Sequence, residues 1–371
     1  MKKKVMIAVG GTAGHVYPAL SLAKSLQNSS VSVMFVGGGL KNNHFFDSHD
    51  FLHKSVDCAH FNSKNPFKLF KSCLSILKGF YQSRSAIKAF DPDLIVGFGS
   101  FHSFPSLIAA KAASVPMILH EANSIPGKVN KLLSKYAEVV GIHFPEVATH
   151  LKGNIVEVGM PLREGYSLGA VTRQFAKDHF FLDQNKLTLL VFGGSQGAKK
   201  INEMVSSALC RHFEGNKETI QVLHFSGDKK AVSDLEKIYA EAGIKACVKD
   251  FEKRMDLAWQ AADVVISRSG ASSIAEQMEF EVPGILIPYP FASDAHQDKN
   301  ADFLAKTVGG AISFKEAELT DKLLGEKIKT FLNHDYILLG TMRDAIRKYK
   351  RKARPKDLCT LILNTLWNQD E

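Results

Sequence analysis

The sequence predicts two α/β domains, each built on a parallel sheet with helices on both faces. Three observations predict it. Short, almost wholly apolar runs alternate with helical patterns along both halves, as strands covered on both faces require. Two of these runs enter glycine-rich turns that lead into helices, Gly10-Gly11-Thr12-Ala13-Gly14-His15 and Gly193-Gly194-Ser195-Gln196-Gly197-Ala198. The 371 residues, 45% of them hydrophobic, suffice for two cores.

In the first half, strands are predicted at Val5–Val9, Val31–Val36, Leu94–Gly97, Pro116–His120 and Val139–Ile142. The first glycine turn follows the first of these. Backbone N–H groups and a helix N-terminus converge there on a point that attracts an anion, and glycine permits a close approach or a positive φ. His15 opens the helix, where the positive dipole end favours a neutral, basic imidazole. It can serve as a general base, worth roughly 10²–10⁴-fold, or simply cap its helix. His120, Glu121 and Asn123 close the strand at Pro116–His120 and are expected at the same sheet edge, as a sugar-binding rim or as satisfied loop residues.

Asn65-Pro66 starts a helix with proline at its first position. At the helical period, Phe67, Phe70, Leu74, Leu77 and Tyr81 form one apolar stripe, and Leu69, Ile76, Phe80 and Ile87 a second beside it. Lys64, Lys68, Lys71 and Lys78 flank them. An amphipathic basic helix of this breadth fits an anionic bilayer interface; burial of both stripes in the domain or a dimer is the other reading. Asp91-Pro92-Asp93 has the form of a metal-binding DxD but precedes its strand, so it reads as a turn, and no metal is expected in the chemistry.

The segment Val158–Gly165 interrupts the pattern with Gly and Pro and is read as the interdomain linker. Domains are therefore placed at 1–163 and 164–340, with a helical segment at 341–371 expected to pack back toward the N-terminal domain. Its basic run from Arg343 to Lys356 reads as a solvated helix face. Second-half strands are predicted at Leu187–Phe192, Gln221–Phe225, Val264–Ser267 and Gly284–Pro288. After Val264–Ser267, small residues lead into a helix that carries Glu276, a carboxylate suited to two ribose hydroxyls or to the helix dipole. Gln297 and Asn300 lie three apart on one helix face, an arrangement for sugar hydroxyls.

Several classes are excluded. The first turn is not GxGxxG, and Val33-Met34-Phe35-Val36 runs into glycines instead of the acidic residue a nicotinamide site needs. Neither turn continues as a Walker A loop. The five scattered cysteines include no CxxC pair, which suits a reducing compartment and argues against structural zinc. The apolar run after the Lys2-Lys3-Lys4 start is too short for a signal peptide, and no stretch reaches the roughly 18 apolar residues of a spanning helix. The net charge of +9 predicts an anionic partner, but its residues follow no nucleic-acid-binding motif.

Taken together, GGTAGH at Gly10–His15, HEAN at His120–Asn123, GGSQGA at Gly193–Ala198, SRSGASSIAE at Ser267–Glu276 and HQDKNA at His296–Ala301 resemble the MurG family over nearly the whole chain. These are UDP-N-acetylglucosamine transferases acting on undecaprenyl-pyrophosphoryl-MurNAc-pentapeptide. The resemblance implies a GT-B fold, with two Rossmann-like domains facing across a cleft. It also implies inverting transfer without metal or cofactor, and attachment to the cytoplasmic face of the bacterial inner membrane. It assigns His15 as base, with Thr12, Ala13 and Gly14 around it, and Asn123 to the sugar and acceptor region. Arg163, Ser195 and Gln196 go to the diphosphate, Phe251 to uracil, Glu276 to ribose, and Gln297 with Asn300 to the GlcNAc hydroxyls. Membrane contact falls to Phe67, Phe70, Leu74, Leu77, Lys68 and Lys71. Two departures stand out: Ala13 replaces a common glycine, and Gly99-Ser100-Phe101-His102-Ser103-Phe104-Pro105 replaces a GGYVSGP-like loop expected at the acceptor diphosphate. Other GT-B enzymes on UDP-GlcNAc, a 2-epimerase or a lipid A disaccharide synthase, and a non-catalytic nucleotide-sugar-binding scaffold are the rival readings.

Overall fold

A computed structural model of the chain describes residues 2–46, 50–60, 65–194, 197–213, 217–332 and 336–367. The chain forms two compact units, passing from the first to the second at Arg163/Glu164 and returning at Arg354/Pro355.

The N-terminal unit runs β1 (Lys4–Ala8), α1 (Ala13–Asn28), β2 (Ser32–Gly38), β3 (Leu52–Val56), α2 (Pro66–Phe90), β4 (Leu94–Gly97), α3 (Ser100–Ala112), β5 (Met117–Glu121), α4 (Lys128–Leu133), β6 (Val139–Ile142) and β7 (Ile155–Glu157). Its seven strands lie in the order β3-β2-β1-β4-β5-β6-β7, and every pairing is parallel. All carboxyl ends therefore share one edge. The order reverses direction between β1 and β4, and the loops after those two strands open the crevice where such sheets take ligands. On α1, Val16, Ala19, Leu22, Ala23 and Leu26 recur at helical spacing and are buried on the sheet.

Helix α2 begins as its sequence dictates. The Asn65 side chain accepts from the Phe67 backbone N–H at 2.9 Å, and Pro66, lacking an N–H, fills the first position. Its two apolar stripes have different fates. Of the second, Ile76 and Ile87 are buried and Phe80 is half-buried, while Leu69 is exposed; of the first, Phe67 (80% exposed), Phe70 (64%), Leu74, Leu77 and Tyr81 face solvent. Lys68 and Lys71 are exposed beside them, Lys78 pairs with Asp57 at 2.7 Å, and Lys64 lies outside the described residues. Asp93 is structural, its carboxylate accepting from the Lys4 backbone N–H at 2.7 Å.

The C-terminal unit runs α5 (Arg173–His179), β8 (Leu187–Phe192), α6 (Lys199–Ser207), β9 (Ile220–Phe225), α7 (Val232–Glu241), β10 (Lys245–Lys249), α8 (Met255–Ala261), β11 (Val264–Ser267), α9 (Ala271–Glu279), β12 (Gly284–Leu286), α10 (His296–Asp302), β13 (Ala311–Ser313), α11 (Asp321–Leu332) and α12 (Ile337–Ala353). Six parallel strands take the order β10-β9-β8-β11-β12-β13, and the reversal falls between β8 and β11. The second glycine turn and the Ser267–Glu276 segment leave those two strands.

The expected segment 341–371 is not one piece. Helix α12 stays with the C-terminal unit because its Leu339, Met342 and Ile346 are buried there. Its basic residues are not all solvated either: Arg347 pairs with Glu281 at 2.5 Å, Lys350 with Glu279 at 3.2 Å, and Arg343 donates to the Glu281 carbonyl. Only α13 (Leu358–Trp367) returns, placing Leu358, Ile362 and Leu366 in one core cluster with Val5, Ile7 and Val16.

Candidate active site

In the N-terminal unit the first glycine turn leaves β1 at the switch point. Gly11 has φ +90°, a conformation glycine adopts without a Cβ penalty. Its carbonyl accepts from the Asn43 side-chain amide at 2.8 Å, a support that no motif announces. Thr12 precedes α1, and its carbonyl accepts from the His15 and Val16 backbone N–H groups at 3.0 and 3.1 Å. Its hydroxyl lies 3.3 Å from His15 Nδ1, so the residue orients the imidazole. Ala13 is buried within α1, where alanine is the best helix former; Gly14 is exposed. Arg163 lies over the Tyr17 ring at 4.8 Å, beside the helix that carries His15.

The HEAN segment divides in two. His120 and Glu121 are buried at the end of β5, so neither forms part of a sugar-binding rim. Strand β5 lies inside the sheet, which buries its last residues as fully as its first. The Glu121 carboxylate accepts from the Asn123 backbone N–H at 3.0 Å, the Gly127 N–H at 2.9 Å and the Asn130 amide at 2.9 Å. Burial pushes its pKa up while these bonds pull it down. It thereby fixes the loop that presents the half-buried Asn123. Burial, aided by His143 and His15, lowers His120 to about 3, and burial lowers His143 to about 4. A neutral His120 thus lies near His15, packing on Phe98 at 5.1 Å between ring centres.

Ser100 takes φ +66° at the start of α3, the left-handed conformation for which a glycine is usual there. The Ser103 hydroxyl pins this turn, donating to the Gly99 and Ser100 carbonyls at 2.6 and 2.9 Å.

In the C-terminal unit the second turn has Gly194 at φ +90° and Gly197 at φ +69°, closed by Gly197 N–H donating to the Gly194 carbonyl at 3.0 Å. Ser195 and Gln196 lie outside the described residues. Helix α6 is tied to the sheet by a buried chain, with His224 bonding Tyr239 Oη at 2.9 Å and Asn202 Oδ1 at 3.1 Å. Glu276 on α9 accepts from Trp259 Nε1 at 2.8 Å, so an indole from α8 holds this carboxylate in place. Sequence reasoning missed Trp259, for a lone tryptophan carries no local signal. Gln297 Oε1 accepts from the Tyr289 backbone N–H at 3.0 Å. Asn300 is fully buried and donates to the Ser269 carbonyl at 3.1 Å, so here it supports the loop after β11. Arg268 holds the loop after β12, donating to the Ile287 and Pro288 carbonyls and pairing with Glu316 at 2.6 Å. Phe251, 49% exposed, stands beyond the carboxyl end of β10.

The family model of the glycosyltransferase family 28 N-terminal domain matches residues 5–142, and that of the C-terminal domain residues 188–355. A "UDP-N-acetylglucosamine--N-acetylmuramyl-(pentapeptide) pyrophosphoryl-undecaprenol N-acetylglucosamine transferase" of Protochlamydia amoebophila (strain UWE25) is 49% identical, covering 98% of this chain and 96% of its own. The chain belongs to the MurG branch of glycosyltransferase family 28. A second MurG-branch relative, of the same name, from Chlamydia pneumoniae, is 39% identical over 99% of this chain and 100% of its own. The crystal structure of Acinetobacter baumannii MurG superposes with a TM-score of 0.77 at 26% identity, covering 99% of each chain. The two parallel sheets are those of the GT-B class, and this MurG-branch protein is a glycosyltransferase.

Proposed function

We infer that this enzyme transfers GlcNAc from UDP-GlcNAc to the 4-hydroxyl of undecaprenyl-pyrophosphoryl-MurNAc-pentapeptide, the step that completes the disaccharide lipid of peptidoglycan synthesis. The observation that carries this reading is the 49% identity, over nearly the full length of both chains, to a relative named for that transfer. His15, steadied by Thr12 on the first glycine turn, takes the proton from the acceptor hydroxyl. The oxygen forms the new bond to the anomeric carbon as the bond from that carbon to the diphosphate breaks. UDP departs with the electron pair, and the configuration inverts. N–H groups of the second glycine turn, with Ser195 and Gln196, and Arg163 receive the diphosphate charge as it develops. Glu276, fixed by Trp259, takes the ribose hydroxyls, and Phe251 covers the uracil. Gln297 orients the GlcNAc, with Asn300 shaping the loop beside it.

The test is UDP release by the purified protein, with and without the lipid-linked MurNAc-pentapeptide, in EDTA. Acceptor-dependent release with a new disaccharide lipid is expected. Release that ignores the acceptor, or that needs an added metal, overturns the reading.

The acceptor's lipid requires the enzyme to work at a membrane, and the outward stripe of α2 with Lys68 and Lys71 is the surface suited to it. Among the described residues no helix is long and apolar enough to cross a bilayer. We therefore place the enzyme peripherally on the cytoplasmic face of the inner membrane, with Phe67, Phe70, Leu74 and Leu77 in the interface. Each phenylalanine is worth about 1.5–3 kcal/mol on full burial. Phe67→Asp with Phe70→Asp should lower binding to anionic vesicles by more than about tenfold in co-sedimentation. Donor binding should not change; unchanged vesicle binding would remove α2 as the membrane contact.

A further inference from the structure

Beside α12 the C-terminal unit has a cleft of about 160 Å³. Ala262 and Glu281, which line it, precede β11 and β12, so the cleft lies at the amino edge of the sheet. The second glycine turn follows β8 and lies at the opposite edge. The inner wall is apolar, formed by the buried Trp259, Ala262 and Phe280. Leu168, on the segment that enters this unit, forms one side. It is held there by its own N–H donating to Glu279 Oε1 and by the Gly169 N–H donating to Gln260 Oε1, both at 3.3 Å. Arg173, Arg343 and Arg347 complete the lining.

The charges around the cleft are matched, with one exception. Arg173 pairs with Asp263, Arg347 with Glu281 at 2.5 Å and with the exposed Asp344 at 3.3 Å, and Lys350 with Glu279 at 3.2 Å. Among the described residues Arg343 has no carboxylate partner. Its Nε and Nη2 donate to the Glu281 and Asp263 carbonyls at 3.3 and 3.5 Å, and its Nη1–H groups have no acceptor. A half-buried guanidinium thus keeps an uncompensated charge and spare donors at the wall of a cleft, which favours an anion there.

Size and charge define what fits. An apolar cavity of about 150 Å³ takes one benzene ring, and the planar fork of an arginine matches a carboxylate. A single unmatched positive charge suits a monoanion and not a nucleotide diphosphate. We propose that the cleft binds a small monocarboxylic acid with an apolar body about the size of one ring. Its carboxylate lies on Arg343, its body lies against Trp259 and Phe280, and its binding is coupled to that of the donor through Trp259. The coupling rests on Glu276 as the ribose ligand of the proposed function, since Trp259 Nε1 donates to that carboxylate at 2.8 Å. A body packed on the indole holds it in the orientation this bond requires. The acid should therefore tighten UDP, and UDP should tighten the acid by the same factor.

Trp259 is also the reporter. The chain has two tryptophans, and the other, the exposed Trp367 of α13, is removed by Trp367→Phe. Sodium benzoate titrated into that protein should change the Trp259 emission saturably, with a midpoint near about 1 mM for so small a probe. Benzamide, alike in shape but uncharged, should bind at least about tenfold more weakly. Benzoate should weaken as much in Arg343→Met, whose unchanged UDP binding shows that it is folded. A response that does not saturate, an equal response to benzamide, or full benzoate affinity in Arg343→Met overturns the site. The benzoate–benzamide contrast is read without the Arg343 variant, so it stands even if that variant misfolds. Saturating benzoate should lower the Kd of UDP about fivefold or more, and an unchanged Kd overturns the coupling. A protein that binds benzoate as expected but binds no UDP would show that the nucleotide reading has failed while the cleft stands.

Discussion

Replacing His15 by alanine should lower kcat by roughly 10²–10⁴-fold, the usual contribution of a general base, while UDP-GlcNAc binding is retained. The residues proposed for uracil, ribose and GlcNAc all belong to the C-terminal unit, and of the proposed donor contacts Arg163 belongs to the first, so a truncation on α1 leaves most of them intact. His15→Gln separates two roles. It preserves a polar partner for Thr12 but cannot accept a proton, so it should be as impaired in kcat as alanine if the role is proton transfer. Recovery to near wild-type rate in the glutamine variant would reduce His15 to the helix-capping residue that its sequence position also permits. Calorimetric titration with UDP provides the control for donor binding.

The second large effect is on stability. Glu121→Ala should cost the N-terminal unit about 3–5 kcal/mol, because it strands the Asn123 and Gly127 N–H groups and leaves the Asn130 amide with only the His120 carbonyl as acceptor. Glu121→Gln keeps the shape but can satisfy donors at only one of its two terminal atoms, so it should fall in between. Urea denaturation reads both, and activity adds a second axis. The loop presents Asn123, so the acceptor KM should rise further than the donor KM. Equal stability of all three proteins would show that the buried carboxyl is not the loop's anchor.

Much of the fold was legible because the inner strands are covered on both faces. Leu94–Gly97, Val139–Ile142, Leu187–Phe192 and Val264–Ser267 occur where their apolar runs lie. The strands not anticipated are β3, β7, β10 and β13, and these are the four sheet edges. An edge strand is half-solvated and keeps charges that discourage pairing with other chains, as Lys54, Lys245 and Lys249 illustrate. Periodicity cannot distinguish such a segment from a loop. The candidate site shows the same division. Glycine turns and the polar residues after strands were readable because the backbone needs them locally. Burial of His120, Glu121 and Asn300 was not, since it depends on which strands and loops flank them in space. Asn43 and Trp259 are further cases: each meets its partner across a sequence gap that no spacing rule encodes.

The return of α13 to the first unit bears on how the protein is made. The N-terminal core contains Leu358, Ile362 and Leu366 alongside Val5 and Ile7, so its apolar surface stays open until the whole C-terminal unit has been translated. During synthesis, at about 5–20 residues per second, the half that emerges first is the half completed last. For that interval the nascent chain carries an apolar face awaiting Leu358, Ile362 and Leu366, and a ribosome stalled before Leu358 would leave a finished C-terminal unit attached to an unfinished N-terminal one.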